Sequence, residues 1–176
     1  MVKLVRPNTR YRRSYFSALR EYIRSGKNPR ELAILQMTPQ DAMKDFPRLA
    51  RRIRGFAQGR DLPKGFIPSS TFWLVEATKY LGWLNIRHRF TPLLRHEMGL
   101  IGYEIRPSER GKGYGTLILK LALPKARKIG LRKMLVTCDS GNYISRKVIE
   151  KNGGIFEKKV RSRVEKGWKL KYWIRL

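Results

Sequence analysis

The sequence predicts an α/β (α+β) domain in which strands and helices are interleaved along all 176 residues. Three observations carry that reading. Apolar residues recur at helical spacing in some stretches and alternate with period two in others, in the order β-α-α-β-β-β-α-β-α-β-β. Hydrophobic residues make up 41% of the chain, enough for a core at a length typical of one domain, here taken as 1–176. Third, Arg110-Gly111-Lys112-Gly113-Tyr114-Gly115-Thr116 sets three glycines between the apolar run Leu100–Ile105 and a long periodic segment.

Taken in order, Lys3–Arg6 reads as a first strand, stopped by Pro7-Asn8. Asn8 or Thr9 can cap a helix over about 10–25, with Tyr15, Leu19, Tyr22 and Ile23 facing the core and Arg12, Arg13, Arg20 and Arg24 opposite. Residues 30–38 read ambiguously. Thr38-Pro39-Gln40-Asp41 starts a helix reaching about 57, in which Pro47 predicts a kink or a split. A Gly- and Pro-rich loop, 59–68, precedes a strand over 71–77 and a second over 80–90. In the second, Leu84, Ile86, His88 and Phe90 share one face and Trp83, Asn85, Arg87 and Arg89 the other. Strand 99–106 enters the glycine stretch, and a helix over about 114–128 leaves it, burying Leu117, Ile118, Leu121 and Ala122. Pro124 removes a donor from that helix and Gly130 stops it. Strand 133–138 follows. Asn142 caps a helix with Ile144, Val148 and Ile149 inward, ended by Asn152-Gly153-Gly154. Two strands, about 155–163 and 167–175, close the chain; in the last, Trp168, Leu170, Tyr172 and Ile174 alternate with Lys169, Lys171, Trp173 and Arg175.

Composition excludes several classes. No apolar run approaches the length of a membrane span, and the start lacks the hydrophobic block of a signal peptide, so a cytoplasmic protein is expected. A single cysteine, Cys138, rules out an internal disulfide and argues against a cysteine-based zinc site; no metal is expected. The charge is extreme: 40 Lys+Arg against 13 Asp+Glu, a net +27. Residues 1–60 carry 15 basic and 4 acidic residues, and 99–176 carry 20 and 6, whereas 61–98 are nearly balanced. Such a field attracts polyanions, although a solvated basic surface explains it equally.

Strand, glycine turn, helix is a way to aim free backbone N–H groups at a phosphate, since glycine lets the chain approach closely and the helix start adds partial positive charge. The spacing fits neither the dinucleotide fingerprint nor the P-loop. It resembles the acetyl-CoA pyrophosphate loop of the GCN5-related N-acetyltransferases, Arg-x-x-Gly-x-Gly with Ile105 five residues upstream. Asn142-Tyr143-Ile144-Ser145, followed by Glu150-Lys151-Asn152-Gly153-Gly154, resembles that superfamily's Asn-x-x-Ser segment and its Glu-Lys-x-Gly sequel. Pro68–Trp73, Asn85–Arg89 and Ile105–Arg110 are similar to one poorly characterised bacterial branch of predicted acetyltransferases.

The resemblance implies the acyl-CoA N-acyltransferase fold: a mixed, mostly antiparallel central sheet with helices on both faces. It implies acetyl-CoA as the acyl donor, bound by a core spanning 99–154, with 1–60 on the acceptor side. Tyr103, Glu104 and Ile105 would line the pantetheine arm. The amides of Arg110, Gly111, Lys112, Gly113, Tyr114 and Gly115, running on into Thr116, would hold the pyrophosphate, with the Lys112 side chain nearby. Asn142 and Ser145 would contact the cofactor from the far side.

Acetyl transfer to an amine needs a polarised carbonyl, a neutral amine and a protonated or stabilised thiolate. The tyrosine that many relatives use as general acid, seven residues after the motif asparagine, is replaced by Ile149; Tyr143 is at the wrong spacing. For the base, Glu104 and His88 are the candidates, with Glu76 and His96 weaker. The plainer accounts are an ion pair between Glu104 and a nearby arginine, and a hydrogen-bonded core histidine at 88. Cys138 reads as a small buried hydrophobe. The implied reaction is N-acetylation of an unidentified primary amine, on an anionic or RNA-linked acceptor. The alternative is a nucleic-acid-binding module on the same fold, in which Trp173 could stack on a base while Tyr15, Trp168 and Tyr172 are core. A homodimer stays open.

Overall fold

Strand pairing divides the molecule into two sheets. The computed structural model describes residues 1–176. Strands β1 (Val2–Val5), β2 (Ser69–Glu76), β3 (Lys79–Arg87) and β4 (Ile101–Ile105) pair antiparallel in that order. Strands β5 (Lys133–Asp139), β6 (Ile155–Arg161) and β7 (Trp168–Arg175) form the second sheet, order β5-β7-β6, also antiparallel. The sheets meet where the N–H of Leu100 donates to the carbonyl of Leu135 at 2.8 Å. Gly99 permits that junction: its φ is +67°, and a Cβ there would lie 2.6 Å from the Leu135 oxygen. Beyond it β4 and β5 separate, and both line one cleft.

Helices α1 (Arg12–Arg24), α2 (Arg30–Ile34), α3 (Pro39–Lys44) and α4 (Phe46–Gly55) pack on one face of the first sheet. Their shared core includes Tyr15, Leu19, Leu49, Ile53, Trp73, Val75, Tyr80 and Trp83. On the opposite face α5 (Tyr114–Lys128) and α6 (Tyr143–Lys151) bridge both sheets, through Leu74, Leu84, Ile86, Ile118, Ala122, Val136, Ile149 and Tyr172. Strand β3 feeds both cores because its side chains alternate. A bulge resets the alternation: Val75 pairs with Tyr80 and Leu74 with Gly82, so Leu81 is extra and joins Leu84 on the α5/α6 side.

The ambiguous stretch 30–38 contains α2. The helix expected over 39–57 is two helices, divided at Asp45. Asp45 accepts from Arg48 N–H at 3.0 Å, and Pro47 falls in the first turn of α4, where no donor is needed. Thr38 and Asp41 close a reciprocal cap on α3.

Four expectations about burial need correction. Ile23 and Ile144 face solvent, Ile144 at 80% exposure, because each lies at the edge of its helix's apolar stripe. Trp168 is also exposed, with Lys159 Nζ 5.0 Å from its ring centre. Trp173 is instead partly covered, between Phe90 at 6.0 Å and Lys133 at 4.6 Å. Tyr15 and Tyr172 are core.

Candidate active site

The cleft between β4 and β5 has a volume of about 390 Å³. Its walls have two characters, set by strand alternation. Tyr103 and Ile105 of β4 point to the α5/α6 side with Val148, while Gly102 and Glu104 point to the α1–α4 side, as their β3 partners Asn85 and Trp83 do.

On the α5/α6 side, the glycine loop enters α5 through two left-handed residues, Gly111 (φ +80°) and Gly113 (φ +83°). No Cβ at either would meet anything within 4 Å, so the loop faces open space. The N–H groups of Gly111, Lys112, Gly113, Tyr114 and Gly115 have no acceptor within the chain; the next two, of Thr116 and Leu117, close on the Gly113 carbonyl. Five free donors beside a helix start suit a phosphate group. The row begins one residue later than expected, because the Arg110 N–H is spent on Pro107 O. Lys112 stands beside the loop but is tied to Glu109, 3.0 Å away, which also binds Lys79 at 2.6 Å. Gly115 serves packing: a Cβ there would press on Val148 at 3.3 Å. Tyr114 is partly buried against the core, and the carbonyl of Thr116 accepts from Asn152.

Asn142 caps α6 by accepting from Ser145 N–H at 2.9 Å, which turns Ser145 toward Tyr103. The two hydroxyls are 3.4 Å apart, and burial raises the Tyr103 hydroxyl above its usual pKa, so it stays protonated. Ile149 is fully buried in the α5/α6 core and offers no proton. Tyr143 is 68% exposed and lies outside the cleft lining. Cys138 is buried, its thiol pushed up to about 11 by that burial, as suits an inert apolar residue.

On the α1–α4 side, Glu104 is fixed from two directions. Its Oε2 accepts from the Arg30 N–H at the start of α2 (3.1 Å), and its Oε1 faces Arg110 Nη2 (3.4 Å). Arg110 also donates to Ile105 O at 3.1 Å, so this guanidinium is held on the Glu104 side and not turned to the glycine loop. His88 is elsewhere. It lies just past the end of β3 with its Nε2 2.9 Å from Ser70 Oγ, and burial and Arg6 lower its pKa. Five residues of β3 separate it from the partner of Glu104, roughly 17 Å along the strand, so the two do not share a reaction centre. His96 faces Arg161 O, outside the cleft lining.

Several lining residues were not singled out from the sequence. Arg87 enters the cleft from the end of β3, Thr137 from β5 and Lys169 from β7. Glu97, in a π-helical turn Leu94–Met98, is buried and accepts from the Ser162 hydroxyl and from Arg163 N–H (2.9 Å), which docks the β6–β7 turn over the cleft. Arg87 and Lys169 left a trace in the sequence, as cations on the Trp83–Asn85 face of β3 and on one face of β7.

The splayed sheet thus sets a row of free backbone donors, ending at Gly115, at one wall of the cleft and a fixed carboxylate at the other. Residues 33–154 match the Acetyltransferase (GNAT) family. The chain belongs to that family, and acetyl-CoA is its acyl donor. Solved structures agree in fold. Mycobacterium smegmatis RimJ in complex with CoA-disulfide is 20% identical, covering 99% of this chain and 81% of its own, with a TM-score of 0.67. The microcin C7 self-immunity acetyltransferase MccE, in complex with acetyl-CoA and AMP, is 12% identical over 99% and 92%, TM-score 0.65. The yncA protein of Salmonella typhimurium with acetyl-CoA is 15% identical over 100% and 93%, TM-score 0.60. No curated protein matches the chain by sequence.

Proposed function

We propose that this chain is an acetyl-CoA-dependent N-acetyltransferase that acetylates a primary amine entering the cleft from the α1–α4 side. The observation that carries the reading is that the free Gly111–Gly115 N–H row ends at Gly115 in the wall of the same cleft that Glu104 lines. The loop would hold the pyrophosphate, Tyr103 and Ile105 would flank the arm, and Asn142 and Ser145 would close the far side. When bound, acetyl-CoA supplies the activated acyl group. Glu104 accepts the proton of the incoming ammonium, directly or through one water, and its bonds to Arg30 and Arg110 keep it aimed. The Tyr103 hydroxyl, kept protonated by burial, takes over as proton donor to the leaving sulfur where Ile149 cannot.

The basic excess around 1–60 and 155–176 favours an acceptor that carries negative charge, free or attached to RNA. Nothing in the family match supports the non-catalytic nucleic-acid module, and the intact donor loop argues for turnover. A panel of primary amines with acetyl-CoA, followed by free thiol release and by mass of the product, tests the reading. An acetylated amine is expected; thiol release without one would leave a thioesterase and overturn the acceptor assignment.

A further inference from the structure

Of the cations that line the cleft, Arg30 and Arg87 have no ion-pair partner; Arg30 is exposed, whereas Arg87 is partly buried. Arg87 comes from the last position of β3, on the strand face shared with Trp83 and Asn85, and so reaches the α1–α4 side of the cleft. Its Nη1 donates to the carbonyl of Gly99 at 3.2 Å, which places the guanidinium over the point where β4 and β5 part. Arg87 takes part in none of the chain's ion pairs. The carboxylates that line the same cleft are already engaged. Glu104 holds Arg30 N–H and Arg110, Glu97 holds Ser162 and Arg163, and Asp139 and Glu165 share Lys169. Burial lowers the Arg87 pKa to about 10, which still leaves it charged at neutral pH. A shielded guanidinium without a counter-charge is costly unless a ligand supplies one. With Nη1 committed, the Nε–Nη2 edge is free, a geometry that fits two oxygens of a carboxylate or phosphate. Thr137 lines the same end of the cleft, and its hydroxyl has no partner in the chain. Between Arg87 and Glu104 the floor is Gly102, where even an added Cβ would meet only Trp83, at 3.9 Å.

We propose that Arg87, with Thr137, is the anion subsite of the acceptor, so that the substrate is an amine that also carries a carboxylate or phosphate, with the anion at the closed end of the cleft and the amine toward Glu104. Gly102 is the bare floor over which such a molecule lies. Four residues of β4 separate Glu104 from the backbone opposite Arg87, about 13 Å, which long side chains at both ends shorten. The substrate is therefore an elongated molecule with its two charges apart.

The proposal rests on the transferase reading for the amine, but the anion site can be tested separately by calorimetry on the CoA-saturated protein. The probes are ω-amino carboxylates of two to six carbons, ω-aminoalkyl phosphates of the same lengths and the matching ω-amino alcohols. At least one anionic amine should bind about tenfold or more tightly than its alcohol, the scale of a charge-assisted bidentate contact. The two anionic arms separate a carboxylate from a phosphate preference. Arg87→Gln should erase the preference, Arg87→Lys should keep part of it, and Lys120→Gln, an equal charge change on the exposed face of α5, should leave it intact. The thermal midpoint of the ligand-free Arg87→Gln protein should equal or exceed that of the wild type, since an unpaired charge is removed. No preference in the wild type, a preference that survives in Arg87→Gln, or an Arg87→Gln protein that no longer folds would each overturn the assignment. Failure of the transferase reading looks different: the anion preference persists but no amine is acetylated.

Discussion

In the proposed function Glu104 is the general base. Its carboxylate is held by one backbone N–H and one guanidinium, so replacing it with the isosteric amide changes charge more than shape. Glu104→Gln should lower kcat by about two orders of magnitude or more, the usual worth of a general base. Acetyl-CoA affinity, read by calorimetry, should stay within about twofold, because the free N–H row proposed to hold the pyrophosphate does not involve the Glu104 side chain. Near-normal turnover would return Glu104 to the role of ion-pair partner for Arg110. The proton donor has its own test. Tyr103→Phe should slow turnover by about tenfold to a hundredfold, while Tyr143→Phe, outside the cleft, should leave it unchanged. The absence of a tyrosine at 149 is plain in the sequence, but which other hydroxyl replaces it is not. That depends on the Asn142 cap turning Ser145 toward Tyr103, a contact across 42 residues of sequence.

At the level of elements, the glycine loop and α2 make separate predictions. No neighbour blocks a side chain at Gly113, so the cost of Gly113→Val is set by its φ of +83°, which a β-branched residue resists. The loop should move out of register and acetyl-CoA affinity fall by about tenfold or more, with the fold intact by circular dichroism. Unchanged affinity would remove the loop from the binding site. In α2, Glu31 is buried, accepting from Tyr15 Oη and Trp73 Nε1, both at 2.8 Å. Burial raises its pKa to about 7 despite those two bonds, with nearby Glu104 adding to the rise. A carboxyl raised in the folded state stabilises the fold fully below its unfolded pKa of about 4.5 and progressively less as pH rises to 7 and beyond. Wild-type stability attributable to Glu31 should thus fall by an amount on the order of 3 kcal/mol between pH 4 and 8. The difference in unfolding free energy between Glu31→Gln and wild type should drift in favour of the variant over that range; a flat difference would contradict the burial argument. The long elements were legible because each repeats its period: α5 and both C-terminal strands fall where the apolar spacing puts them. Helix α2 was not, since five residues are too few to show a helical period. Alternation also told which side chains of β7 share a face without telling what covers that face, which is why Trp168 and Trp173 exchanged their expected environments.

For the whole molecule, the proposed function gives the splayed sheets two tasks, donor binding on the α5/α6 side and acceptor chemistry on the α1–α4 side. The family was readable because local motifs carry it. The Glu104 side of the cleft was not, because Arg30, Arg87, Glu104 and Thr137 come from four elements and meet only in the fold. The charge of +27 belongs to this scale as well. If it draws an anionic acceptor to the cleft, reversing Arg48, Arg51 and Arg52 on α4 should raise KM more than reversing Lys120, Lys125 and Arg127 on α5, and raised salt should narrow the gap. Equal effects would mark the charge as a general surface property. The central claim, that acetyl transfer to an amine occurs in this cleft, is tested most directly by amine-dependent thiol release from acetyl-CoA in wild-type and Glu104→Gln proteins. The account predicts release that saturates with one class of amine, yields the N-acetyl product and falls by about two orders of magnitude in the variant. Release that needs no amine, or that Glu104→Gln leaves untouched, would contradict it.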